Sequence, residues 1–164
     1  MLKYVDTLVG FKEVPSEITL CINISNCQCH CKNCHSPYLA EDIGEELNIE
    51  SLFNLIANNE GITCVAFLGG DNNPKEINNL AKEVKTYYNL KTAWYSGRQK
   101  LSKSIDIRNF NYLKLGPYIE ELGPLNSKTT NQKFYKVVQV ASERGTIEYK
   151  LIDITYKFHE RRTD

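Results

Sequence analysis

Two hydrophobic periodicities alternate along the chain. Residues 18–23, Ile-Thr-Leu-Cys-Ile-Asn, alternate β-branched and apolar side chains and predict a strand. Ile49, Leu52, Phe53 and Ile56 fall at i, i+3, i+4 and i+7, so a helix with one apolar stripe is predicted over residues 49–58. Residues 63–68 are a short apolar run closed by Gly69-Gly70, as expected of a strand buried on both faces. Asn73-Pro74-Lys75-Glu76 is a helix start, with Asn as cap and Pro at the first helical position. Ile77, Leu80, Ala81 and Val84 continue its stripe. Residues 90–95 and 112–115 predict two more strands, ended by Ser96-Gly97 and Gly116-Pro117.

Strands alternating with helices imply right-handed crossovers and a parallel sheet. The pattern changes near the end. Residues 134–140 and 147–158 are β-rich and separated by a short stretch containing Gly145, which predicts an antiparallel hairpin. Residues 121–133 are expected to form a surface loop, and the tail from His159 to be solvated. No repeat or linker interrupts the chain, so residues 1–164 are expected to form a single domain. The Cys-rich loop (24–36), Gly69-Gly70-Asp71, Ser96-Gly97-Arg98 and Gly116-Pro117 all follow the carboxyl ends of predicted strands. Ligands of parallel sheets bind at that edge, where glycine lets backbone approach closely.

Composition narrows the classes. Of the 164 residues, 41% are hydrophobic and 24% charged, with 20 basic and 20 acidic side chains. That balance gives no electrostatic argument for nucleic acid or an anionic membrane. The start, Met-Leu-Lys-Tyr-Val-Asp, lacks the apolar core of a secretory signal, and no apolar run could span a bilayer, so a cytoplasmic location is expected.

Four of the six cysteines fall within eight residues, at Cys27, Cys29, Cys31 and Cys34. Cys27, Cys31 and Cys34 form a C-x3-C-x2-C series. Iron–sulfur clusters are held by thiolates, commonly four for a cubane. Three leave one iron open to a ligand, as a catalytic cubane needs. Cys29 is a possible fourth ligand but would require the short loop to reverse. Cys21 and Cys64 lie on strands and read as buried small hydrophobes. A zinc site using four sulfurs, or three with His30 or His35, stays open, although zinc motifs usually come as two separated pairs. A noncatalytic metal-binding or electron-transfer module also stays open.

The C-x3-C-x2-C loop after a strand resembles the signature of the radical S-adenosylmethionine superfamily, and Gly69-Gly70-Asp71 resembles its Gly-Gly-Glu motif. Asp71 stands where the family has Glu, and Asn33 where it often has an aromatic residue. The short length, Cys34-His35, Trp94-Tyr95-Ser96-Gly97, Gly116-Pro117-Tyr118 and Asn131-Gln132 resemble the anaerobic ribonucleoside-triphosphate reductase activating proteins. This resemblance spans roughly residues 4–140. It implies an α/β fold, a partial, incomplete TIM-like β/α barrel with parallel strands and a C-terminal hairpin. It implies an oxidoreductase with a [4Fe–4S] cluster on Cys27, Cys31 and Cys34 and S-adenosylmethionine as cofactor. Gly69, Gly70, Asp71, Ser96, Gly97 and Asn131 would contact that cofactor. Its partners would be a glycyl-radical reductase and a low-potential electron donor such as flavodoxin or ferredoxin. A full barrel takes about 250 residues, so one side should stay open, wide enough to admit a loop of another protein. The alternative within the superfamily is an enzyme acting on a small metabolite, like the compact 7-carboxy-7-deazaguanine synthases.

Overall fold

The computed structural model describes residues 1–159. The strands are β1 (Leu2–Gly10), β2 (Thr19–Ile24), β3 (Glu45–Leu47), β4 (Cys64–Leu68), β5 (Lys91–Tyr95), β6 (Tyr112–Leu115), β7 (Lys133–Ala141) and β8 (Ile147–Asp153). The helices are α1 (Ile49–Ala57), α2 (Pro74–Tyr87) and a single turn, α3 (Tyr156–His159). All eight strands join one sheet in the order β3-β1-β2-β4-β5-β6-β7-β8. The central four, β2 to β6, are parallel, and the flanking pairs are antiparallel. The sheet is open, with β3 and β8 as its edges. The expectation of a partial barrel therefore reduces to a mixed α/β sheet with a parallel centre.

The helices start where their caps allow. Asn48 Oδ1 accepts from the Ser51 N–H at 3.0 Å while Ser51 Oγ accepts from the Asn48 N–H at 2.9 Å, a reciprocal box that satisfies two orphan donors at the start of α1. Asn73 caps α2 by accepting from the Glu76 N–H, with Pro74 in the first turn.

Alternation along the parallel strands divides the core in two. Leu20, Ile22, Ile24, Val65, Phe67, Trp94 and Leu113 face α1 and α2. Cys21, Cys64, Ala66, Ala93 and Tyr112 face the other way, against Val14, Phe134 and Ile154. Cys21 and Cys64 are fully buried there, as expected of small hydrophobes, and burial pushes the Cys21 thiol up to about 12.

Two expectations are corrected. No α-helix follows β5: the chain runs through a loop and a 3-10 turn (Ile107–Asn109) because residues 96–106 carry only Leu101 and Ile105 as large apolar side chains. The last β-rich run stops at Asp153, whose carboxylate accepts from the Thr155 N–H at 2.9 Å and hydroxyl at 2.5 Å and turns the chain into α3. The tail beyond His159 lies outside the described residues. The β7–β8 hairpin forms as expected, pairing from Ala141–Ile147 to Tyr135–Asp153. Among the described residues, no helix is long and apolar enough to cross a membrane.

Candidate metal and cofactor site

The Cys-rich loop leaves the carboxyl end of β2 and is pinned to the segment after it. The Asn26 N–H donates to the Glu41 carbonyl at 2.9 Å, and the Cys27 N–H to the Leu39 carbonyl at 2.8 Å. Asn26, His30 and Asn33 hold left-handed backbone, with φ of 57°, 44° and 54°, a conformation uncommon outside glycine. Three such residues in eight curl the loop on itself, and the Cys34 N–H closes a turn onto the Cys31 carbonyl at 3.2 Å. The outer side of the loop is tied across the rim, where Asn33 Nδ2 donates to Glu120 Oε2 at 2.7 Å.

Inside this curl lies a cavity of about 430 Å³. Cys27, Cys29, Cys31 and Cys34 line it together with Gly69, Asp71, Ser96 and Gly97 from the ends of β4 and β5. The volume falls in the usual range for small-ligand sites. Cys34 is exposed and the other three thiols are half-buried. Among the described residues, no three His, Cys, Asp or Glu side chains converge on a single metal-ion position. A zinc ion needs its donors around one point, whereas a cubane takes each thiolate on a separate iron. Thiols set around a volume, on the wall of one cavity, suit the second arrangement.

The opposite wall is built by hydrogen bonds to Asp71. Its carboxylate accepts from the Ser96 hydroxyl at 2.5 Å, the Gly97 N–H at 2.8 Å and the Cys29 thiol at 3.7 Å. The loop beneath is fixed as well. Gly69 has φ of +98°, its N–H donates to the Tyr95 carbonyl at 3.0 Å, and its carbonyl accepts from Trp94 Nε1 at 2.8 Å. The Cys29 sulfur sits where a side chain on Gly97 would be, 2.3 Å from the place of its Cβ.

The thiols differ in character. Hydrogen bonding with the Cys29 side chain, joined by the backbone N–H groups of Cys29 and His30, draws Cys27 down to about 6 against the opposing effect of burial. Cys29 moves up, through its hydrogen bonding with Cys27, its desolvation and the nearby Asp71 carboxylate. The two thiols are thus pushed apart, Cys27 toward the thiolate and Cys29 toward the thiol.

Several sequence-based candidates fall elsewhere. Gly70 is not on the cavity wall; it has φ of +83°, and a Cβ there would meet Ile77 Cδ1 at 2.6 Å. Asn131 turns away, with Nδ2 donating to the Pro117 carbonyl at 3.0 Å, while its neighbour Gln132 lines the cavity. Arg98 faces an adjoining cavity shared with Asp71 and Trp94. His30 lines the main cavity; His35 packs on Tyr118 with ring centroids 5.4 Å apart.

One wall residue was not anticipated. Lys114 on β6 is 9% exposed and lines the cavity, and its ammonium donates to the Gly116 carbonyl at 2.6 Å. Burial pulls it down to about 8, against the opposing influence of Cys31, Asp71, Cys29 and Cys27, which favour the cation. The available signal was a charged residue inside a four-residue apolar strand that runs directly into Gly116-Pro117.

No curated protein and no solved structure matches the chain. A family model does match, described as a 4Fe-4S single cluster domain, over residues 18–115. That span runs from the start of β2 to the end of β6 and contains the whole Cys-rich loop and both glycine loops of the cavity wall. The chain belongs to the 4Fe-4S single cluster domain family.

Proposed function

We propose that the chain is a radical S-adenosylmethionine activase, which generates a glycyl radical on an anaerobic ribonucleotide reductase. The observation that carries this reading is the shared cavity. Cys27, Cys31 and Cys34 line one side, and Gly69, Asp71, Ser96 and Gly97 line the other. Those three thiolates would hold a cluster and leave one iron without a protein ligand, in a cavity that Asp71, Ser96 and Gly97 also line. When bound, such a cluster would supply the single electron for reductive cleavage of S-adenosylmethionine and, through it, for hydrogen abstraction from a glycine of the partner.

The chain's own residues bind and orient. Cys27, Cys31 and Cys34 would hold the cluster as thiolates. Asp71 is the acceptor for the cofactor's ammonium group, and the Ser96 hydroxyl and Gly97 N–H fix its carboxylate in place. Gly69 keeps that side of the wall flat: a Cβ there would sit 3.0 Å from the Ile24 carbonyl oxygen. The chemistry belongs to cluster and cofactor, and the protein supplies position and a partly enclosed site. The Cys-rich loop is mostly exposed from Gln28 to Tyr38, and on that side a segment of a second protein would reach the cavity.

The experiment is anaerobic reconstitution followed by iron analysis, reductive cleavage of S-adenosylmethionine, and paramagnetic resonance after mixing with the reductase. Four irons per chain, 5′-deoxyadenosine and a glycyl doublet are expected. Cys31→Ala should abolish both cluster and cleavage, and Cys29→Ala should retain both. A cluster that never cleaves the cofactor would make the chain an electron carrier, and cleavage without a glycyl radical would point to a small-molecule substrate.

A further inference from the structure

Lys114 occupies a position that strand chemistry does not ask for. Leu113 and Leu115, on either side, are buried and apolar, while Lys114 points to the opposite face with its ammonium at the cavity wall. Among the described residues, no carboxylate lies within ion-pair distance of it. Burying a cation without a counter-charge is costly, and Met or Leu would fill the same space without that cost. The ammonium is nevertheless held deliberately. Gly116 carries φ of +110°, and a Cβ there would approach Gln132 Cα to 3.2 Å, so glycine is required for the turn that brings its carbonyl back to Lys114. Gln132, 6% exposed, walls the same space. The groups that act on the cation from the cavity wall are the thiols of Cys31, Cys29 and Cys27 and the carboxylate of Asp71, which lies beyond ion-pair distance.

We propose that Lys114 is the buried counter-charge of the iron–sulfur cluster and raises its reduction potential. This rests on the reading that Cys27, Cys31 and Cys34 hold the cluster in this cavity. Reduction adds one electron from a low-potential donor, forms and breaks no bond and moves no proton. The added negative charge is felt more strongly beside a buried cation than in water, so the cation favours the reduced form. The inference concerns the cluster itself and not the cofactor, which makes it testable with the cofactor left out.

The test uses the full chain, reconstituted without oxygen, with iron and sulfide counted, and titrated with dithionite and redox dyes in the absence of S-adenosylmethionine. Lys114→Met should keep its iron but show a reduced-to-oxidised ratio about tenfold lower at any set potential, which is ~59 mV for a one-electron couple. Lys114→Arg, which keeps the charge, should stay near the wild-type potential. An unchanged or raised potential in fully loaded Lys114→Met overturns the proposal, as does an equal fall in Lys114→Arg, which would make shape the cause. If Lys114→Met holds no cluster, a loaded Lys114→Arg at the wild-type potential supports the counter-charge, and loss of cluster from both variants overturns it. Wild-type chain that binds no iron would instead remove the reading beneath it, and that is seen before any variant is compared.

Discussion

At the scale of single residues, the site depends on an absent side chain. The Cys29 sulfur occupies the space beside Gly97, 2.3 Å from where a Cβ would be, and Asp71 Oδ2 lies 3.7 Å from the same point. The Gly97 backbone is not left-handed, so alanine meets no backbone strain there, and the substitution reports the clash alone. Gly97→Ala should leave the fold intact, drive Cys29 into the cavity and weaken S-adenosylmethionine binding to the loaded protein by about tenfold or more, equivalent to ~1.4 kcal/mol. Adding Cys29→Ala removes the displaced sulfur and should restore most of the affinity, a coupling that a double-mutant cycle by calorimetry would read. Additive losses would show that Gly97 matters for some reason other than Cys29. Spacing alone set Cys29 outside the C-x3-C-x2-C series. Its contact with Asp71 could not be read that way, because it needs two loops, 42 residues apart, to meet at one rim.

Among elements, the parallel strands were the most legible. β2, β4, β5 and β6 are largely buried on both faces and run into loops that carry glycine or cysteine, so length, run and punctuation agree. β1 gave no clean alternation because its pairing with β2 slips between Tyr4 and Asp6 and most of its side chains are half-exposed. β3 has three residues and exists through pairing with β1. A buried acid joins the elements at the other end of the sheet and was equally invisible. Glu17, in the loop before β2, accepts from the Thr63 hydroxyl at 2.7 Å ahead of β4, from the Tyr112 hydroxyl at 2.9 Å on β6, and from the Lys91 ammonium on β5. Burial by itself would raise the Glu17 carboxyl, but these three donors outweigh it and hold it below the ordinary carboxylate value. A folded-state value below the unfolded one adds stability that is complete above the unfolded value and disappears as pH falls through the folded one. Glu17→Gln should therefore cost about 1–3 kcal/mol in urea unfolding at neutral pH. That difference should shrink once the pH drops below about 4.5. A deficit that stays constant into acid would assign the effect to packing.

Over the whole molecule, the cavity is carried by the part of the sheet with the deepest burial. Both faces of β2, β4 and β5 are covered, by the helices on one side and by Val14, Phe134 and Ile154 on the other. The hairpin extends the sheet outward, and its far half, around residues 140–149, is largely exposed. The edges are blunted by shortness and charge, with Glu45 and Glu46 on β3 and Glu148, Lys150 and Asp153 on β8. Opening free energy follows burial and backbone protection, so local stability should be graded across one continuous sheet. Amide exchange followed by mass spectrometry on the iron-free chain should show β2, β4 and β5 exchanging only through global unfolding. Amides near residues 141–147 should exchange orders of magnitude faster, and the Cys-rich loop, pinned by two backbone bonds to residues 39–41, should lie between. A cluster held by the folded state alone stabilises every segment whose opening would release it. Loading iron should then slow exchange in residues 24–36 and at the ends of β4 and β5, while leaving the hairpin tip unchanged. Equal slowing at the tip would mean that the sheet opens as a single unit, and the rim would then owe its rigidity to the whole fold rather than to the parallel strands beneath it.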